Sequence, residues 1–436
     1  TVFARAYDRV TEAAGSVFIF VSTLAIIVMW AILGGVYKAP DNWQIAMQDG
    51  SSIQAYISDS LLMRQQQNQS RDLLQLISEL RSRGKTYHEV FTKVYNGKLH
   101  KMTAEEIAAV EKKVYSEVGD AQVLQSYNWY DQVSNVASKI FGSIYCVTVF
   151  WICIFVWVGL GALPHLRFGD KWQLYINTAT AVEITLISMF IQNIRKRHIL
   201  YVHKSIGLVI ETDYNIEYKL RTMIGSNKPN KRVSIAPMKV TRGERAIEYY
   251  AAIIGTGIGL VISAGVFATW IAIGDRMEWS DDWWLIIGTY TGLVGFIDGF
   301  TLRSCYYRCY EHIYEQFKLL EDEDSKLLRY LGVEGTFCTP APEHRSFNFR
   351  VSAIVGRIFS STKAVGLSVV VVIVLICIAS YMKWRTTAQL ICNTPTMIIE
   401  GFCLLVLLEG HNQNNAQLRV YVHDSLQRKF YLQQYV

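Results

Sequence analysis

Charge is scarce in this sequence. Asp, Glu, Lys and Arg make up 18% of its 436 residues and 51% are apolar, whereas soluble domains carry about a quarter charged residues. An ordinary soluble multidomain protein is excluded on that ground. The eight cysteines, Cys146, Cys153, Cys305, Cys309, Cys338, Cys377, Cys392 and Cys403, show no paired framework, which excludes a disulfide scaffold. No HExxH, GxSxG or P-loop pattern occurs, and the apolar spans offer no paired histidines for haem. Gly255-Thr256-Gly257-Ile258-Gly259 sits inside an apolar span with no strand before it, so it reads as a close helix contact rather than a nucleotide loop. Enzymatic chemistry therefore has no residues behind it. The net charge of +6 lies mainly in long connections and reports topology, with nothing that calls for nucleic acid.

What is present is long apolar stretches. Eight of them can span a bilayer, which takes roughly 20 residues each: near 17–37, 44–65, 140–163, 172–194, 247–273, 283–304, 360–383 and 388–410. They pair across short turns, Lys38 to Asn42, Pro164 to Lys171, Gly274 to Asp282 and Trp384 to Thr387. The connections between pairs are long and basic, with Arg64, Arg83, Arg195, Arg197, Arg303 and Arg308. Termini and long connections are therefore expected in the cytosol and the short turns outside. Trp43, Trp172, Trp283 and Trp284 then belong to the outer aromatic belt. Short amphipathic helices at the interface are expected around Tyr7-Asp8-Arg9-Val10 and Tyr130-Asp131-Gln132-Val133.

Past Arg64 the second span continues to Arg83, with Leu73, Leu76, Ile77 and Leu80 on one side and Gly84 as the stop. Thr103 and Glu106 form a capping box for a further helix. The expected fold is an all-α polytopic membrane protein: eight transmembrane helices arranged as four parallel two-helix repeats, with cytosolic helical extensions. The repeats occupy 1–83, 128–200, 246–330 and 348–436, separated by cytosolic connections at 84–127, 201–245 and 331–347.

The second helices carry the polar residues. From Trp172, Gln173, Asn177, Thr180 and Glu183 follow at one, five, eight and eleven positions. From Trp43 the matching set is Gln44, Gln48, Ser51 and Gln54, with Asp59 at sixteen. From Ala388 it is Gln389, Asn393 and Thr396, with Glu400 at twelve; from Trp283 it is Thr291, with Asp298 at fifteen. Spacings of three and four place these groups on one helical face.

First helices hold no ionisable Asp, Glu, Lys or Arg in their central parts, whereas second helices hold Asp49, Asp59, Glu183, Asp298, Glu400 and Glu409. A carboxylate at the bilayer centre costs at least about 2.5 kcal/mol, so these acids need a partner, a proton or a cation. First helices read as scaffold and second helices as the lining of a path. Converging carboxylates with amides and hydroxyls above them suit a hard-oxygen cation site. Asp59, Asp298 and Glu400 are the leading ligands, followed by Glu183, Gln54 and Asp49. Gln48, Ser51, Asn177, Thr180, Thr291, Asn393 and Thr396 line the approach. Cys305, Cys309, His312, Glu409 and His411 supply softer groups for a cytosolic exit. Two other readings stay open: a receptor or scaffold whose polar stripes only hold helices together, and a channel-like path for another cation such as the proton.

The blocks Asn42-Trp43-Gln44, Met47-Gln48-Asp49-Gly50, Trp172-Gln173, Asn177-Thr178-Ala179, Gln192-Asn193, Trp283-Trp284, Asp298-Gly299-Phe300 and Asn393-Thr394-Pro395-Thr396 resemble those of the fungal low-affinity iron permease family, over all four hairpins. The resemblance implies a multi-pass plasma-membrane importer of Fe(II), with Cu, Zn and Mn as further cargo and no cofactor. Its partners would be the lipid bilayer and divalent metal ions, and a homodimer is compatible with it. The Arg-Glu-Gly-Leu-Glu signature of the oxidase-coupled permease is absent; Glu400-Gly401-Phe402 does not supply it.

Overall fold

A computed structural model of the chain describes residues 9–10, 13–95, 102–333 and 347–436. Cys338 and the stretch around Tyr7-Asp8 lie outside them. Among the described residues the fold is helical, without strands. Its elements are α1 (Val17–Tyr37), α2 (Asp41–Tyr95), α3 (Ala104–Val118), α4 (Trp129–Phe141), α5 (Ile144–Leu160), α6 (Asp170–Ile224), α7 (Arg242–Ile254), α8 (Gly257–Ile273), α9 (Asp281–Tyr330), α10 (Phe347–Phe359), α11 (Thr362–Tyr381) and α12 (Thr386–Gln433). Helices α2 and α6 have 55 residues each, α9 has 50 and α12 has 48. At 1.5 Å per residue each runs for about 70–80 Å, more than twice the hydrocarbon thickness.

These four long helices pack as a ring, α2 against α6 and α9, and α12 against the same two. The short apolar helices α1, α5, α8 and α11 lie outside and expose Phe18, Ile26, Val36, Phe155, Val261 and Leu367. So much exposed apolar surface belongs in hydrocarbon. Five helices, α1, α6, α9, α11 and α12, are long and apolar enough to cross a membrane. The total reaches seven if the bent pairs α4/α5 and α7/α8 each count as one crossing. Helix α2 has the length, but its first half carries Gln44, Gln48, Asp49, Ser51, Ser52, Gln54, Ser58 and Asp59 and is too polar by that measure.

The bends correct one expected span. The chain turns by 64° between α4 and α5 and by 65° between α7 and α8. The first bend separates the short amphipathic helix expected around Tyr130 from the span after it, whereas the second falls inside 247–273, which is not a single helix. Gly142 ends α4, and the Ser143 side chain caps α5 by accepting from the Cys146 N–H. Gly255-Thr256-Gly257 is the second corner rather than the middle of a span, and a Cβ on Gly259 would lie 2.6 Å from the Ile254 carbonyl oxygen. Ser16 caps α1 and Ser361 caps α11 in the same way.

Each short helix returns into a long one through the same turn. Two consecutive residues take left-handed φ: Lys38 and Ala39, Arg167 and Phe168, Glu278 and Trp279, Lys383 and Trp384. The second N–H of each pair donates back to a carbonyl near the end of the first helix: Ala39 to Gly34 at 2.8 Å, Phe168 to Gly161 at 3.0 Å, Trp279 to Gly274 at 3.0 Å and Trp384 to Ala379 at 2.9 Å. Three turns are then locked by indoles. The Trp30 and Trp43 rings stack with centroids 3.9 Å apart, and each Nε1–H donates to the other's carbonyl, at 2.9 and 2.7 Å. Trp157 with Trp172 and Trp270 with Trp283 repeat the arrangement. In the fourth hairpin the same positions hold Leu375 and Ala388. Trp43, Trp172 and Trp283 are thus internal clamps, whereas Trp284 remains exposed.

The long helices continue beyond the apolar region as a four-helix bundle. Leu73, Leu76, Ile77 and Leu80 of α2 face Val202, Val209 and Ile216 of α6, Phe317 and Leu320 of α9, and Val422 and Leu426 of α12. The predicted stop at Gly84 does not occur, because the helix runs on to Tyr95 and buries Tyr87 and Phe91 in the same core. The capping box at Thr103 and Glu106 is present and starts α3. The basic segment after α6 is held along α2: Ser78 Oγ donates to the Val233 carbonyl and Ser82 Oγ to that of Lys231, at 2.9 and 2.6 Å.

A buried ion network closes this bundle. Lys429, 0% exposed, sits 3.2 Å from both Asp213 and Asp324, while Arg83 reaches Asp213 and Glu217 at 3.0 Å each. Burial alone lowers the Lys429 pKa, but Asp324 and Asp213 more than reverse it and hold the ammonium above its ordinary value. Its stabilising charge is therefore present below the usual lysine range and lost only as pH rises through the elevated value. Lys429→Met leaves two buried carboxylates facing each other and is expected to cost about 3–5 kcal/mol, measured by denaturant unfolding of the detergent-solubilised chain. Trp172→Phe keeps the stack but deletes a donor; a loss of about 1 kcal/mol is expected in the same assay, and none would mean that the clamp does not stabilise the fold.

Candidate cation path

Count each long helix from its clamp position, Trp43, Trp172, Trp283 or Ala388. A helix turns 100° per residue, so positions five, eight, twelve, sixteen, nineteen and twenty-three share one face. That face points to the centre of the ring. Gln66, Arg195, Tyr306 and His411, all at position twenty-three, line one cavity together with Asp59 and Arg303.

Nearest the turns, the Gln44 and Gln389 amides donate to the carbonyls of Ala39 and Trp384, the second left-handed residue of each turn, at 3.4 and 3.0 Å. At position five come Gln48, Asn177 and Asn393, exposed by 0, 0 and 1%. Asn177 Nδ2 donates to Gln48 Oε1 at 3.3 Å. Gln48 Nε2, Asn177 Oδ1, both ends of the Asn393 amide and both Asp49 oxygens have no protein hydrogen-bond partner. The fourth residue of this level is Gly288, and a Cβ there would lie 2.2 Å from Asp49 Oδ1 and 3.8 Å from Asn393 Nδ2. Asp49 therefore fills the space that a side chain on α9 would take. A buried carboxylate among amides with free lone pairs is costly unless a polar or cationic guest satisfies it.

Next come hydroxyls. Thr180, Thr291 and Thr396 each donate to the carbonyl four residues back, at 2.9, 2.8 and 3.1 Å, which leaves their oxygens to act as acceptors. Ser51 instead donates across to the Ala181 carbonyl at 2.8 Å and receives Thr185 at 3.1 Å, joining α2 to α6.

Asp59, Asp298 and Glu400 lie deeper, near enough for their charges to act on one another. Asp298 Oδ1 accepts from Tyr250 of α7 at 2.6 Å, and Oδ2 has no protein partner. Glu183 and Gln54 are not with them. Glu183 Oε2 packs beside Gly401, 3.4 Å from where a Cβ would be, and Gln54 donates to the Thr185 carbonyl at 3.4 Å. Both act between helices.

The predicted soft exit is not brought together. Cys305 is buried beside Arg308, His312 is half-buried, and His411 stacks on Tyr306 with centroids 4.0 Å apart; the Glu409 side chain lies outside the described residues. Among the described residues no three His, Cys, Asp or Glu side chains are grouped to hold a metal. Arg195, Arg197 and Arg303 are buried at 4–5% exposure instead of marking a solvated loop. The repeat count would have placed Arg195 opposite Gln66 and His411. Tyr250 gave no signal of its own.

Helices with apolar backs around a polar axis define a multi-pass membrane protein. The profile described as low affinity iron permease matches residues 3–125, 130–220 and 348–429, and the chain belongs to that family. It is 46% identical over 422 residues to the low-affinity iron/zinc ion transport protein fet4 of Schizosaccharomyces pombe, covering 95% of this chain and 70% of that protein. It is 41% identical over 454 residues to the low-affinity Fe(2+) transport protein of Saccharomyces cerevisiae, covering 98% of this chain and 82% of that protein. Both relatives are named as transport proteins rather than enzymes. No solved structure matches.

The close approach at Gly288 gives a direct test. Gly288→Ala is expected to displace the Asp49 carboxylate and lower metal uptake roughly tenfold or more, with no loss of fold by size-exclusion profile; unchanged uptake would remove Asp49 from the path.

Proposed function

We propose that this chain is a low-affinity importer of ferrous iron, with zinc and, less directly, copper and manganese as further cargo. The observation that carries this reading is the level of Asp49, Gln48, Asn177 and Asn393 on the bundle axis, buried and rich in oxygens without protein partners. One carboxylate with amide oxygens binds a hard divalent ion weakly and selects modestly among divalent ions. From there the hydroxyls of Thr180, Thr291 and Thr396 lead the ion to Asp59, Asp298 and Glu400.

The architecture that suits this path has eight crossings in four parallel two-helix repeats, 1–83, 128–200, 246–330 and 348–436. Helix α2 then counts as a crossing, its polarity being the price of facing the axis. The four alike turns and the alike Ser or Thr corners support the repeat. We place the chain in the plasma membrane with termini and extensions in the cytosol, so that the ion enters at the turns. Ser51, Gln54 and Glu183 serve as helix contacts.

The test is radiolabelled Fe(II) flux into proteoliposomes holding the wild type, Asp49→Asn, Asp59→Asn, Asp298→Asn or Glu400→Gln. Wild type should carry iron, and Asp49→Asn and Glu400→Gln should fold and carry at most about a tenth as much. Full flux in every amide variant would make the acids helix contacts, and none in the wild type would sink the importer reading.

A further inference from the structure

The axis holds a fixed cation of its own. Arg303, one turn beyond Asp298, is 5% exposed and lines the central cavity with Asp59, Gly299 and Arg195. A glycine lets it in: a Cβ at Gly299 would lie 2.9 Å from Arg303 Nη1 and 3.7 Å from Asp59 Oδ2. Guanidinium and carboxylate thus share the gap left by one missing side chain. Leu404 of α12 lines the same cavity, and Glu400 lies one helical turn before it. Helices α2, α9 and α12 therefore deliver an acid, a base and an acid to one place.

We propose that Arg303 is a tethered competitor for the transported ion: it neutralises Asp59 and Glu400 when no metal is present, and a divalent ion gains these carboxylates only by displacing it. This rests on the path described above and adds two properties to it. A monovalent ion brings no more charge than the guanidinium it must displace, so the exchange favours divalent ions. The same guanidinium, swinging back, pushes the ion off, and binding stays weak enough for passage.

Two measurements on the purified chain test this: equilibrium binding of Zn(II), as a redox-inert probe, and Fe(II) flux against concentration in proteoliposomes. Arg303→Gln should lower the half-saturating concentration about tenfold or more and also lower the maximal flux, since release slows. Arg303→Lys, keeping the charge, should stay near the wild type. Gly299→Ala keeps Arg303 but crowds its guanidinium off Asp59, and should shift binding in the same direction as Arg303→Gln by a smaller factor. Unchanged or weaker Zn(II) binding in folded Arg303→Gln overturns the proposal; if that variant does not fold, the same result in Gly299→Ala does so. Binding is read apart from flux, so a wild type that binds Zn(II) but carries no iron sinks the importer reading alone.

Discussion

Hydrocarbon offers no hydrogen bonds, and this one fact arranges the molecule. Each polar group at membrane depth has to find a partner inside the protein. Apolar helices α1, α5, α8 and α11 can therefore lie outside, and the long helices must turn their polar faces toward one another. Most of those groups settle among themselves, as Ser51 does with Ala181 and Thr185, and as the threonines do with their own carbonyls. Asp49 does not, and the amides beside it do so only in part, Asn177 donating to Gln48 and the remaining amide atoms finding no protein partner. That unsatisfied level is the observation on which the proposed path rests.

Periodicity made the broad plan legible. Helix α1 has the bounds read from the sequence, and the inward set Gln48, Asn177, Asn393, Thr180, Thr291 and Thr396 came from spacing alone. Spacing did not separate Glu183 and Gln54, which pack against neighbouring helices, from the acids deeper in the bundle, because a stripe of three- and four-residue steps blurs which neighbour a side chain meets. Composition failed at the arginines. Arg303 follows an apolar run and so looks like a cytosolic flank, yet it is buried beside Asp59 of α2, a residue on another helix that lies far away in sequence.

The aromatic belt was a reasonable reading of Trp43, Trp172 and Trp283, but a belt asks for one ring at an interface. The structure pairs each with a second tryptophan thirteen or fifteen residues earlier, and only a reciprocal bond across a tight turn calls for both. The corner at Gly255-Thr256 escaped for a similar reason. Hydropathy runs straight through it, and the Thr256 side chain makes no cap bond there.

The long helices are fastened at both ends, by the turns with their clamps at one and by the Lys429 network at the other. Between these fixtures α9 carries Gly288, Gly292, Gly295 and Gly299, each of which weakens a helix by roughly 0.5–1 kcal/mol relative to alanine. The other three walls are stiffened by side chains along the same stretch. The bundle is thus pinned at its two ends and has least side-chain bulk along α9, so any change in its width meets least resistance on that side.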